Sequence, residues 1–128
     1  MTPQEMVREF HEIFGSHINE RSLDVVQLRW RLMAEEYAEL GDELAELMLD
    51  PENVSCLGRV AKEIADAVYV LYGTGVALGL DIDEALRRVH ASNMSKLVDG
   101  KPIMREDGKV LKGPNYQPPA TVEGVVLP

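Results

Sequence analysis

Two short acidic clusters have the residue types and the spacing for chemistry. One is Glu35-Glu36-x-x-Glu39, the other Glu63-x-x-Asp66, with 23 residues between them. Side chains three or four positions apart on an α-helix share a face. Glu36 and Glu39 therefore aim at one point, and so do Glu63 and Asp66, if each cluster lies on a helix. Two antiparallel helices would bring the four carboxylates together. Carboxylates crowded into a confined space cannot all ionise unless a cation neutralises them. Oxygen-only ligands select a hard ion, Mg²⁺ or Mn²⁺ ahead of zinc or copper. The expectation is a divalent metal site built from two helices. The competing explanation is that the acidic stripe is a solvated face, with Arg59 and Lys62 as ion-pair partners for the second cluster.

Other chemistries lack their parts. A di-iron carboxylate bundle needs Glu-x-x-His pairs, and His11, His17 and His90 stand at no such spacing. The sequence has no H-E-x-x-H, no Gly-rich P-loop, no G-x-S-x-G and no C-x-x-C, so redox, zinc and acyl-transfer motifs are missing.

The elements that must position the clusters follow from periodicity and caps. Residues 3–14 predict a first helix, with Thr2 as N-cap, Pro3 at the first position, Glu5 completing a capping box and Gly15 closing it. Residues 16–22 are polar and predict a loop. The longest pattern, 23–49, carries an apolar face of Val26, Trp30, Met33, Tyr37, Leu40, Leu44 and Met48. On the other side lies an acidic arc that carries Val25, Leu28 and Leu32 upstream, so the first half of this helix should be buried all round. Asp50-Pro51 breaks it. A second long helix runs from about 53 to 78, with an expected core face of Leu57, Val60, Ala61, Ile64, Ala65, Val68, Leu71 and Tyr72. The short connection makes the two long helices antiparallel neighbours. Gly79 ends the second, and Asp81 to Glu84 start a fourth helix reaching about Lys96 or Leu97. Asn93 and Lys96 continue its core-facing stripe, either as helix-end residues or as a polar pair aimed into a cleft.

From Val98 onward prolines and glycines cluster, and Lys101, Arg105, Lys109 and Lys112 reverse the local charge. Residues 103–111 predict a small hairpin turning at Asp107-Gly108. The expected organisation is a helical catalytic domain over 1–97 and a Pro/Gly-rich tail over 98–128, packed on the domain or on a partner subunit. The fold class is all-α, a four- to five-helix bundle.

The 128 residues suit one domain. The net charge of −9 argues against a general nucleic-acid surface. The most apolar stretch, 67–80, is too short to span a bilayer and reads as a buried helix near a subunit interface. One cysteine, Cys56, allows no internal disulfide, and with no signal-peptide pattern the expected location is cytoplasmic.

The two acidic motifs resemble the signature of the all-α nucleoside triphosphate pyrophosphohydrolases, the superfamily of MazG, the phosphoribosyl-ATP pyrophosphohydrolases and the dimeric all-α dUTPases and dCTPases. The downstream run Val89-His90-x-x-Asn93-Met94-Ser95-Lys96, with Asp99-Gly100-Lys101 and Gly108-Lys109-x-x-Lys112, resembles a MazG-like subgroup with dUTPase-type activity. The resemblance implies that Glu36, Glu39, Glu63 and Asp66 bind Mg²⁺, with Mn²⁺ as a substitute. It implies that Glu35 holds a further ion or orients the attacking water, with Glu35 and Glu36 as catalytic residues. Asn93 and Lys96, and more weakly Lys109 and Lys112, would contact the nucleotide or its phosphates. Water would attack the α-phosphorus, releasing a monophosphate and pyrophosphate, in a homodimer or homotetramer. The subgroup match favours dUTP, with other altered nucleotides close behind and phosphoribosyl-ATP third. Trp30, Tyr37, Tyr69 and Tyr72 could stack on a base, but core positions suit them better. A different class of reading is a non-catalytic helical dimerisation module.

Overall fold

The computed structural model describes all 128 residues. Four helices and one two-stranded sheet make up the chain: α1 (Pro3–Phe14), α2 (Leu23–Leu47), α3 (Val54–Leu78), α4 (Ile82–Met94), β1 (Ile103–Met104) and β2 (Val110–Leu111). The all-α class expected from the sequence is the class observed. Each helix starts at a side-chain cap. Thr2 and Glu5 form a reciprocal capping box on α1, while Ser22, Asn53 and Asp81 accept from backbone N–H groups of α2, α3 and α4. Gly15 and Gly79 end α1 and α3 with φ of 69° and 71°, a conformation that costs a Cβ-bearing residue about 1 kcal/mol or more. No helix is long and apolar enough to cross a membrane.

By its contacts the chain falls into two compact units, Met1–Leu80 and Asp81–Pro128. That boundary does not coincide with the change in composition at residue 98, because α4 groups with the tail.

In the first unit α3 is the central helix, and α1 and α2 both pack on it. The pairing of α2 with α3 is antiparallel. Arg29 reaches Val70 and Thr74, while Glu43 reaches Cys56 and Arg59, so numbers rise along one helix as they fall along the other. The seam uses a different stripe of α2 from the one periodicity favours. Val25 and Arg29 are buried, and Leu28, Leu32, Glu36, Leu40, Glu43 and Leu47 are partly buried. The expected face is mostly open instead: Trp30 is 68% exposed, and Val26, Tyr37, Leu44 and Met48 are exposed as well, while Met33 and Leu40 are partly buried. The first half of α2 is therefore not buried all round. On α3 the covered stripe runs through Cys56, Val60 and Ala67, leaving Leu57, Ile64, Val68 and Leu71 exposed. On α3 the expected face is only partly covered, since Val60 and Tyr72 are buried while its other large apolar residues are exposed. Of the four aromatics assigned to core positions, only Tyr72 is buried.

Gly73 explains part of this choice. A Cβ there would collide with the Arg29 guanidinium and lie 3.1 Å from His11 Nε2. The missing side chain lets α1, α2 and α3 meet around a buried polar knot. Arg29 donates to the Val70 carbonyl at 2.9 Å and the Thr74 hydroxyl at 3.2 Å. His11 Nδ1 lies 2.7 Å from the His17 carbonyl. The 16–22 loop closes the far end of α3: the N–H groups of Asn19 and Glu20 donate to Val76 and Ala77, and Arg21 donates to Leu78 and Gly79. These bonds satisfy carbonyls that a helix C-terminus leaves orphaned.

In the second unit α4 holds the tail. Arg88 pairs with Glu84 at 2.9 Å and donates to the Ala120 and Glu123 carbonyls, while Ser92 donates to Gln117. The hairpin pairs Ile103 with Leu111 and Met104 with Val110, and Gly108 takes φ 89° in its turn.

Two outcomes follow from the polar knot. Burial, then the nearby Arg29 charge, holds the His11 pKa below the usual 6.5, although the His17 carbonyl opposes the shift. The unfolded chain thus takes up the proton first. The contribution of this site is complete above about pH 6.5 and falls as pH drops below that, by at most about 1.4 kcal/mol per pH unit. Urea titrations from pH 7.5 to 5 should show a steeper loss for the native chain than for His11→Gln. Gly73→Ala should cost about 1–3 kcal/mol through overpacking, outweighing the roughly 1 kcal/mol helix-propensity gain of alanine. Urea midpoints read this directly.

Candidate metal centre

Midway along the α2–α3 seam carboxylates interrupt the covered stripe, with Glu36, Glu63 and Asp66 partly buried and Glu39 exposed. Glu36 and Glu39 stand one turn apart on α2, and Glu63 and Asp66 one turn apart on α3. Their carboxylate oxygens converge: one from each residue lies within 4.8 Å of all the others. Glu35 is exposed on α2 and lies outside this group.

The electrostatics are those of an unneutralised nest. Partial burial pushes the Glu36 carboxyl pKa up, and Glu39, Asp66 and Glu63 push it further. One oxygen of Glu36 and one of Glu63, Oε2 in each, is out of contact with solvent and has no hydrogen-bond partner. An orphaned buried acceptor costs about 1–3 kcal/mol, more if charged. The one cation that pairs with any of the four is Lys62, whose Nζ lies 2.7 Å from Asp66 Oδ2 and 3.2 Å from Glu63 Oε1. These hydrogen bonds hold the Lys62 ammonium well above its ordinary pKa. Arg59, the other expected partner, goes instead to Glu43 at 3.0 Å. A single ammonium against four carboxylates leaves most of the charge unmatched. The residues present therefore fit a hard divalent cation: oxygen donors only, from two rigid helices, with two acceptors lacking any donor.

Residues 7–93 match the family described as phosphoribosyl-ATP pyrophosphohydrolase. The chain belongs to this family. It is a pyrophosphohydrolase of the MazG-like nucleoside triphosphate superfamily, so the resemblance carried by the two acidic motifs holds at that level. The matched span includes all four converging carboxylates, together with Glu35, and stops at Asn93. No curated protein matches the chain. Members of this family hydrolyse a nucleotide polyphosphate, a reaction whose substrate charge calls for cations at the site.

The other expected site residues lie in the second unit, beyond or at the edge of the matched span. Lys96, Lys109 and Lys112 line one cavity of about 380 Å³ together with Val110 and Leu111. None of the three lysines forms an ion pair, in a chain with 22 acidic residues. Lys112 lies over the Tyr116 ring, 4.8 Å from its centroid. Asn93 is exposed at the end of α4 and does not line this cavity. The buried pair His11 and Arg29 escaped the sequence reading, since neither sits in a recognisable motif. The small residue at Gly73, one turn from Tyr69 and Val70, was the available signal.

Replacing Glu36 by Gln removes one of four mutually repelling charges. The metal-free variant should melt a few degrees higher than the native chain, on the order of 1 kcal/mol. Added Mn²⁺ should raise the melting temperature of the native chain but not that of Glu36→Gln. Thermal melts with and without MnCl₂ check both halves.

Proposed function

We propose that the protein is a divalent-metal-dependent hydrolase that cleaves nucleoside triphosphates between the α- and β-phosphates. The observation that carries this reading is the convergence of Glu36, Glu39, Glu63 and Asp66 within 4.8 Å, with two of their oxygens buried and unpartnered. These four residues would hold Mg²⁺, or Mn²⁺ in its place. When bound, the ion supplies charge neutralisation for the phosphates and acidifies a coordinated water.

The chain's own residues do the rest. Glu36 and Glu39 from α2 and Glu63 and Asp66 from α3 fix the donor geometry, since neither helix can move without breaking the seam. Glu35, exposed and outside the four, takes the proton that the attacking water loses, and Glu36 is the second candidate for that role. Water oxygen bonds to the α-phosphorus. The bond from that phosphorus to the bridging oxygen breaks, and its electrons leave with pyrophosphate. Asn93, Lys96, Lys109 and Lys112 are assigned to the nucleotide and its phosphates. Three unpaired ammonium groups around one cavity support that assignment, because phosphate recognition needs cations not already spent on carboxylates.

Two substrates remain in view, each with its own support. The family description favours phosphoribosyl-ATP. The resemblance of Val89-His90-x-x-Asn93-Met94-Ser95-Lys96 and of the tail lysines to the dUTPase-type subgroup favours dUTP or another altered deoxynucleotide. Both contain the same scissile bond. The exposed apolar faces of α2 and α3, with Trp30, Tyr37, Ile64 and Val68 among them, support assembly as a homodimer or homotetramer, since such patches mark interaction surfaces. The buried, unpaired Cys56 is in keeping with a cytoplasmic setting.

Glu39→Gln and Asp66→Asn should each lower pyrophosphate release by at least about a thousandfold, the scale of losing a group that acts in the transition state. Their circular dichroism should remain helical. A panel of phosphoribosyl-ATP, dUTP and the common triphosphates with Mg²⁺, reading monophosphate and pyrophosphate separately, identifies the substrate. Full turnover by both variants would sink the proposal, and a non-catalytic dimerisation module would turn over nothing in the panel.

A further inference from the structure

Lys62 occupies a peculiar position. It is the one cation within ion-pairing reach of the acidic nest, and it serves only the α3 half, Asp66 at 2.7 Å and Glu63 at 3.2 Å. Glu36 and Glu39 on α2 receive no cation. Glu63 is divided: Oε1 accepts from Lys62, whereas Oε2 is buried and unpartnered. The Glu63 side chain is 13% exposed and that of Lys62 is 66% exposed. The ammonium therefore reaches the rim of the nest from solvent on a four-carbon stem and is not part of its floor. Its two partners are neighbours on its own helix, so leaving them breaks no contact between helices.

We propose that Lys62 is a built-in counterion that holds Glu63 and Asp66 in place while the site lacks a divalent ion and competes with that ion for the same oxygens. This rests on the metal-centre reading above and adds a residue to it. The physical reason is charge. An ammonium is a flexible point charge with three donors. It can neutralise two carboxylates at the rim, but it does not reach the orphaned oxygen of Glu36. A divalent ion seated among all four offers twice the charge to twice as many ligands, so it displaces the ammonium from Asp66. Lys62 is a positioning residue for the metal. Its charge weakens divalent binding and keeps the nest assembled when the ion is absent.

The test measures Mn²⁺ binding to the full chain without nucleotide, by titration calorimetry or by the electron paramagnetic resonance of free Mn²⁺. The native protein is compared with Lys62→Gln and with Lys62→Arg, which keeps the charge. Lys62→Gln should bind Mn²⁺ about tenfold more tightly, the scale of one unit charge acting on a divalent ion across about 5 Å in a water-like medium. It should also melt lower than the native chain without metal and recover that loss with Mn²⁺. Lys62→Arg should bind Mn²⁺ within about twofold of the native chain. Unchanged or weaker Mn²⁺ binding by Lys62→Gln, with normal binding by the native protein, overturns the role of Lys62 and leaves the metal centre standing. No Mn²⁺ binding by either protein overturns the metal centre itself, and this inference with it.

Discussion

Two helices that pack through like charges are the constraint on which the rest of the first unit depends. The α2–α3 seam is held at both ends and repels in the middle. At one end Arg29 of α2 binds the backbone and a hydroxyl of α3. At the other, the Cys56 thiol donates to the Glu43 carbonyl and Arg59 pairs with Glu43. Between them four carboxylates are kept within 4.8 Å, an arrangement that free side chains would relax by pointing apart. Packing at the ends prevents that relaxation. A site of this kind stores electrostatic strain that a bound cation would release, and departures from the best local packing concentrate at such places.

The surrounding structure makes the seam rigid. The loop after α1 caps the C-terminus of α3 with two backbone N–H groups and the Arg21 guanidinium. Phe10 meets Tyr69 edge-on at 5.8 Å, fixing α1 against α3. The knot of His11, Arg29 and Gly73 then ties all three helices at one level of the seam. A buried arginine bonded only to neutral groups is expensive. Its value is geometric, because those bonds fix the register of α2 on α3, and the register decides that Glu36 and Glu39 face Glu63 and Asp66.

The second unit works differently. Its tail has little regular structure, and it is ordered by side chains of α4: Arg88 gathers two tail carbonyls, and Ser92 and Ser95 bracket Gln117. Fixing such a segment costs backbone entropy of about 1–2 kcal/mol per residue, which these polar contacts and the burial of Val125 help to offset. The result is an ordered hairpin whose lysines share a cavity without carboxylate partners.

What the sequence determined by itself was local. Helix starts at Thr2, Asn53 and Asp81, stops at Gly15 and Gly79, the turn at Asp107-Gly108 and the pairing of acids within each cluster all depend on residues at most a few positions apart. Those interactions are written in the chain wherever it folds. The tertiary structure decided which stripe of each long helix is covered. α2 carries two stripes, one through Val26, Trp30 and Tyr37 and one through Val25, Arg29 and Glu36. Periodicity favours the first because it is more apolar. The second is covered in part because Gly73 leaves room on α3 for the Arg29 guanidinium, and that accommodation depends on a residue 44 positions away. Hydropathy along one helix carries no record of the shape of its neighbour.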